Sequence, residues 1–250
     1  MCLPCRAGQH SLCQNLKGQV GVHCDGGYAP YVVLPARNLL LVPESIPSAI
    51  ATTIPDAIAT PLHVCKSRAQ IKPGDRVVVI GAGGGVGIHM VQMACLFGAE
   101  VAGLELTEEK FPAIEQVGGK PVLSRSFADL NLAALWAGQK PTVVIDLVGR
   151  VESLTWGMAT LATSGRMVVL TTFREITFPA DPRELVFREI NLVGSRYASK
   201  VELLEAAELV ASGRIKPVVT NMVSPEQVSQ VHQALQASSL VGRGTLLWPH

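Results

Sequence analysis

The sequence predicts an α/β chain built on a doubly wound parallel sheet. Three observations carry this: uninterrupted β-branched runs of strand length, their regular alternation with helical segments, and a glycine-rich turn where the first such strand passes into a helix. Of the 250 residues, 48% are hydrophobic and 16% charged, a balance suited to strands covered on both faces.

Each element follows in order. The first stretch is loop-like, punctuated by Gly8, Gly18, Gly21, Gly26 and Gly27, with a β-rich run from Tyr28 to Leu34 and a short apolar run from Asn38 to Val42. Ile50 to Cys65 is small and apolar and contains Pro55 and Pro61, which predicts a helix broken around Thr60-Pro61. Pro73-Gly74-Asp75 is a turn. Arg76 to Ile80 is a buried strand, Gly81 to Gly87 the glycine turn, and Ile88 to Phe97 a helix stopped by Gly98. Glu100 to Glu105 is the next strand. Thr107 to Val117 reads as a helix with Thr107 as its cap and Glu108 and Glu109 in its first turn. Lys120 to Leu123 is a strand, Leu130 to Ala137 a helix, Thr142 to Leu147 a strand and Val151 to Ala162 a helix. Arg166 to Thr171, Pro182 to Arg188 and Ile190 to Val193 continue as strand, helix and strand. The alternation spans roughly 120 residues and argues for right-handed crossovers. Ser199 to Ser212 and Pro225 to Gln236 are helical, and Gly244 to Trp248 is a last strand.

Composition narrows the function. The net charge is +1, so neither a nucleic-acid surface nor an anionic membrane surface is expected. Apolar runs stop at strand length, short of the roughly 20 residues of a membrane span. No apolar signal core precedes Gln14. A cytoplasmic setting follows by default, and the six cysteines are then expected as thiols or metal ligands rather than disulfides. Cys65 and Cys95 sit in apolar helical patterns and read as packing residues.

The strongest signal is Val77-Val78-Val79-Ile80-Gly81-Ala82-Gly83-Gly84-Gly85-Val86-Gly87. Glycines let the backbone approach a pyrophosphate, and the helix that follows turns free N–H groups and its positive dipole end toward the phosphates. This is the strand–turn–helix context of a dinucleotide-binding Rossmann unit, although Ala82 stands where the first glycine of that register falls. Glu105, eighteen positions after Gly87, ends the second strand, where a carboxylate accepts ribose hydroxyls and repels a 2′-phosphate. NAD is favoured over NADP on that ground.

With these residues in hand, the sequence resembles the zinc-containing alcohol dehydrogenases of the medium-chain dehydrogenase/reductase superfamily. The resemblance covers nearly the whole chain. Cys2-Leu3-Pro4-Cys5 with Cys13 is similar to part of the family's structural-zinc lobe. Gly26-Gly27-Tyr28-Ala29-Pro30-Tyr31, Ile71-Lys72-Pro73-Gly74-Asp75 and Gly242-Arg243-Gly244 match further stretches, with Pro30 in place of an acid. The family's lobe is spaced C-x2-C-x2-C-x7-C, and its first cysteine would fall just before Met1. Three ligands of a tetrahedral zinc site remain, Cys2, Cys5 and Cys13. His10, His23 or Cys24 offers a fourth, and a metal-free loop is the alternative. The family's first catalytic-zinc cysteine and its Gly-His-Glu segment precede the lobe, so an N-terminally truncated member is expected.

The resemblance implies a remnant of a GroES-like, mainly β catalytic domain over residues 1–58. An NAD-binding Rossmann domain follows over 59–196, and helices and a strand returning to the catalytic domain over 197–250. It implies Thr60 beside the nicotinamide, Asp56 at the third catalytic-zinc position, and Gly84, Gly85, Val86 and Gly87 facing the pyrophosphate. Glu105 holds the ribose, Val148 and Gly149 lie near the cofactor, and Arg243 is a cationic contact. His63, one turn past Thr60, is read as packing or as a proton relay. A homo-oligomer through the edge strand Ile190–Gly194 is implied as well. Two functions result: an NAD-dependent, alcohol dehydrogenase-like oxidoreductase acting on an alcohol or carbonyl compound, or a dinucleotide-binding module without catalysis.

Overall fold

The β-branched runs form the centre of the molecule. The structure, a computed structural model, describes residues 2–171, 173 and 175–249. Short helices α1 (Leu3–Arg6), α2 (Ser48–Ala51) and α3 (Ala59–His63) lead into β1 (Arg76–Ile80), α4 (Gly87–Leu96), β2 (Glu100–Glu105), α5 (Phe111–Gln116) and β3 (Lys120–Leu123). The second half continues with β4 (Val143–Asp146), α6 (Val151–Thr160), β5 (Arg166–Val169), α7 (Pro182–Phe187) and β6 (Asn191–Gly194). The chain then runs through α8 (Lys200–Ala211), β7 (Val219–Val223), α9 (Val228–Gln236) and β8 (Arg243–Leu246).

The large sheet has the order β3-β2-β1-β4-β5-β6, with every pairing parallel. The order reverses between β1 and β4, which opens a crevice at the carboxyl ends of those strands. Alternate strand residues serve opposite faces. Val77, Val79 and Ile145 pack with Ile58, Leu62, Ile88, Val91 and Ala206. Val78, Ile80 and Val144 pack with Leu154, Met158 and Trp136. Each such side chain contributes about 1.5–3 kcal/mol by leaving water. A separate pair, β7 and β8, runs parallel.

The amino ends of the strands are tied by charge. Arg166 donates to Asp75 at 2.6 Å and to the carbonyls of Ala69 and Gln70. Asp75 also accepts from the Thr142 hydroxyl at 2.7 Å and from the Lys72 N–H at 3.0 Å.

Several expectations are corrected. The helix around Pro61 is not broken at Thr60-Pro61. Instead α3 runs through Pro61, and the turns on either side, Ile54–Ile58 and Val64–Arg68, widen to π-helix, which accommodates the missing proline N–H. Leu130 to Ala137 is only a 3₁₀ turn, Ala133–Leu135, after which Ala137 and Gly138 take positive φ. Leu132 and Trp136 still bury there, so the apolar spacing marked core contact rather than helix. Thr107 makes no side-chain cap, and Pro112 splits the segment into a 3₁₀ turn and α5. Tyr28 to Leu34 and Asn38 to Val42 form no strand, leaving Tyr31, Val33 and Leu41 more than 90% exposed. The last strand is β8, ending at Leu246. Its partner β7 alternates half-buried Val219, Asn221 and Val223 with exposed Thr220 and Met222, so it carries no continuous apolar run to mark it in the sequence.

Candidate functional site

The glycine turn is built as its composition demands. Gly81 has φ +83°, a conformation that a side chain would strain. A Cβ on Gly87 would lie 2.0 Å from the Gly81 carbonyl oxygen, so only glycine lets the turn fold back at the start of α4. The N–H groups of Gly81 and Ala82 donate to the Leu104 carbonyl at 3.1 Å, anchoring the turn to β2. Among the described residues no hydrogen bond engages the N–H of Gly85 or Val86, the donors that a helix start leaves free.

Those groups line a cleft of about 660 Å³, within the usual range of small-molecule sites of about 300–1,000 Å³. Its walls bring together Thr60, Gly84, Gly85, Val86, Gly87, Asp56 and Arg243, which the sequence had singled out. It also recruits Leu147, Leu170, Thr171 and Ser195-Arg196-Tyr197. Sequence reasoning missed these. Their signal was position, since they follow the carboxyl ends of β4, β5 and β6, where α/β sheets bind ligands.

Val148 and Gly149 do not line the cleft. Their N–H groups turn inward to Asp146 Oδ1, both at 2.7 Å. Asp146 is fully buried, and its Oδ2 has no partner among the described residues. This carboxylate fixes the loop that presents Leu147 to the cleft.

Glu105 lies outside the lining as well. Its Oε1 accepts the Gly83 N–H at 2.7 Å and its Oε2 the Leu106 N–H at 3.1 Å. The Lys110 ammonium stands 3.8 Å from Oε1, and both side chains are buried. The acid thus grips the glycine turn itself, beside a cation that the sequence reading did not weigh. Each oxygen keeps a further lone pair for a ligand hydroxyl.

Thr60 is buried and donates to Asp56 Oδ1 at 3.2 Å, while Asp56 Oδ2 accepts from the Arg243 guanidinium. Arg243 lies across the glycine turn: a Cβ on Gly85 would come 2.6 Å from its Nε. His63 points away from this centre. Its Nδ1 donates to both oxygens of Glu202, at 2.9 and 3.0 Å. Burial alone would raise the Glu202 pKa. The Ser67 hydroxyl, the Ser199 N–H and His63 outweigh it and hold the acid at about 2.

Two sets of side chains bear on metal binding. The thiols of Cys2, Cys5 and Cys13 lie within 4.8 Å of one another, a thiolate set that fits a structural zinc. Backbone N–H groups of Cys5 and Gln14 lower the Cys2 thiol to about 7, while hydrogen bonding from Cys13 and Cys2 raises Cys5 to about 11. Neither His10, His23 nor Cys24 joins the group. His23 instead accepts from the Gln19 N–H, and Cys24 donates to the Gln19 carbonyl. Asp56 differs. Its carboxylate is already held by a guanidinium and a hydroxyl, and among the described residues it belongs to no group of three metal-ligating side chains. It does not fit a catalytic zinc.

Known proteins share this architecture. An NAD-dependent alcohol dehydrogenase of Sulfurisphaera tokodaii is 27% identical over 98% of this chain and 71% of its own length. A probable D-xylulose reductase A of Aspergillus terreus is 30% identical over 94% of the chain and 68% of its own. The solved alcohol dehydrogenase of the archaeon Aeropyrum pernix superposes with a TM-score of 0.89 at 27% identity, covering 99% of this chain and 72% of that one. The family model for zinc-binding dehydrogenase matches residues 85–212, just over half of the sequence. The chain belongs to the zinc-binding dehydrogenase family.

Proposed function

We propose that the chain is an NAD-dependent, alcohol dehydrogenase-like oxidoreductase that moves a hydride between an alcohol or carbonyl compound and a nicotinamide ring. The observation that carries this is the free N–H pair of Gly85 and Val86 at the head of α4, opening into the cleft beneath Arg243. When bound, NAD supplies the hydride acceptor. The chain does the rest: Gly84 to Gly87 and Arg243 bind the diphosphate, and Glu105 accepts from the ribose. Thr60 borders the nicotinamide end with Leu147, Leu170 and Thr171, which exclude water. NAD is preferred to NADP because Glu105 meets the sugar, and the Sulfurisphaera relative bears that cofactor in its name. Cys2, Cys5 and Cys13 would hold a structural zinc that ties the first turn of the chain together. No step is routed through a metal at Asp56.

The dinucleotide unit is assigned to residues 59–196, flanked by 1–58 and 197–250. β6 is an edge of the sheet. Leu192 within it is exposed, and so are Val186 and Phe187 at the end of α7, the helix that precedes it in the chain. Self-association along that edge is proposed, with light scattering as its check. No helix of the described residues is long and apolar enough to cross a membrane. The six free thiols suit a cytoplasmic setting.

A second reading, a dinucleotide-binding module without turnover, is favoured by the occupied carboxylate of Asp56. Fluorescence titration with NADH and NADPH, beside metal analysis and NAD reduction with a panel of primary and secondary alcohols, separates the readings. Binding with turnover supports the enzyme. Binding alone supports the module. Absence of NADH binding overturns both.

A further inference from the structure

His89 is fully buried in the first turn of α4, and nothing in the proposed reaction uses it. Both of its ring nitrogens are engaged. Nδ1 lies 2.7 Å from the Gly85 carbonyl oxygen, which can only accept, so Nδ1 carries the proton. Nε2 receives the Val218 N–H at 2.8 Å and is therefore unprotonated. The ring is a neutral imidazole of one defined tautomer. Burial, together with the nearby Arg243 charge, depresses its pKa to about 4, against the opposing pull of the Gly85 carbonyl.

The two bonds belong to a closed circuit. Val218 accepts the Arg243 N–H through its carbonyl at 2.9 Å, and the neighbouring Gly242 N–H donates to the Gly83 carbonyl at 3.2 Å. The path runs from the glycine turn through the imidazole to Val218, across to Arg243 and Gly242, and back to the turn. The circuit joins residues more than 120 positions apart and fixes the backbone of Arg243 against the loop its guanidinium covers. On the dinucleotide reading given above, we propose that His89 is a positioning residue: as the Nδ1–H tautomer it sets the register between the phosphate-binding turn and Arg243. A Leu at this site would fill the space and leave the Gly85 carbonyl and the Val218 N–H unpaired.

The test compares ADP, which carries the diphosphate, with adenosine, which lacks it. Calorimetry on the full chain is expected to give His89→Leu an ADP affinity reduced about tenfold, the effect of roughly one hydrogen bond's worth of positioning. Adenosine affinity should be unchanged. His89→Gln, whose amide oxygen can accept from Val218, should recover most of the loss. Equal ADP affinity in wild type and His89→Leu would overturn the proposal, and so would a parallel loss of adenosine binding. A wild type that binds NADH but shows His89 as the Nε2–H tautomer or as imidazolium by nitrogen NMR at neutral pH would overturn it without touching the dinucleotide reading. A wild type that binds neither NADH nor ADP would overturn both.

Discussion

Arg243 and Asp56, 187 positions apart, are joined by an ion pair that forms the partition between two clefts. On one side lies the glycine turn. On the other lies a cleft of about 370 Å³ lined by Tyr28, His232, Leu235 and Trp248. The pair is partly exposed, so its own strength is modest, and a phosphate can compete for the guanidinium.

Removing the acid should therefore help the ligand. Asp56→Asn is expected to tighten NADH binding several-fold, and Arg243→Ala to weaken it by about ten- to a hundredfold, the range for a charge-assisted phosphate contact. Fluorescence titration at two salt concentrations checks both. Weaker NADH binding in Asp56→Asn would refute the competition.

Glu105 should act on cofactor choice. Its replacement by Ala removes the acceptor for the Gly83 N–H as well as the sugar contact, and leaves Lys110 unpaired near the adenosine end. NADH affinity is expected to fall at least about tenfold while NADPH affinity holds or rises. A proportional loss of both cofactors would show that the acid only braces the turn.

Acid stability should depend on Glu202. Its folded pKa, about 2 against 4.5 for an ordinary glutamate, is depressed, so its stabilisation is complete above pH 4.5 and disappears as pH falls toward 2. Solvent screening of a carboxylate near the surface reduces the linked contribution to about 1–2 kcal/mol. Urea unfolding across that window should show a steeper decline for wild type than for Glu202→Gln. Parallel curves would contradict the assignment.

Asp75 and Arg166 stand at the opposite end of the sheet from the cleft. Arg166→Ala strands a buried carboxylate and should cost about 3–5 kcal/mol of stability. NADH affinity, measured well below the unfolding temperature, should not change.

Most of the sheet was legible because its strands are buried on both faces and carry the uninterrupted Val and Ile runs that burial requires. The turn was legible because glycines there answer a steric demand at Gly81 and Gly87. The remainder depended on tertiary placement. Lys110 meets Glu105 only because α5 begins where it does. Val148 and Gly149 face inward because Asp146 captures their N–H groups. Ser195 to Tyr197 reach the cleft because β6 ends beside it. The Leu130–Ala137 segment shows the converse: periodic apolar residues satisfied the core without a helix.

The parallel sheet has two unlike ends. All six strands point their carboxyl termini toward the cleft, while the turns at their starts carry only structural contacts such as those of Asp75. Peptide tags or short loops spliced at the exposed turn around Gly138, where an added Cβ would meet nothing within 4 Å, would enter on the floor of the molecule. The ligand-binding rim would remain intact, giving a natural place to attach a probe or tether.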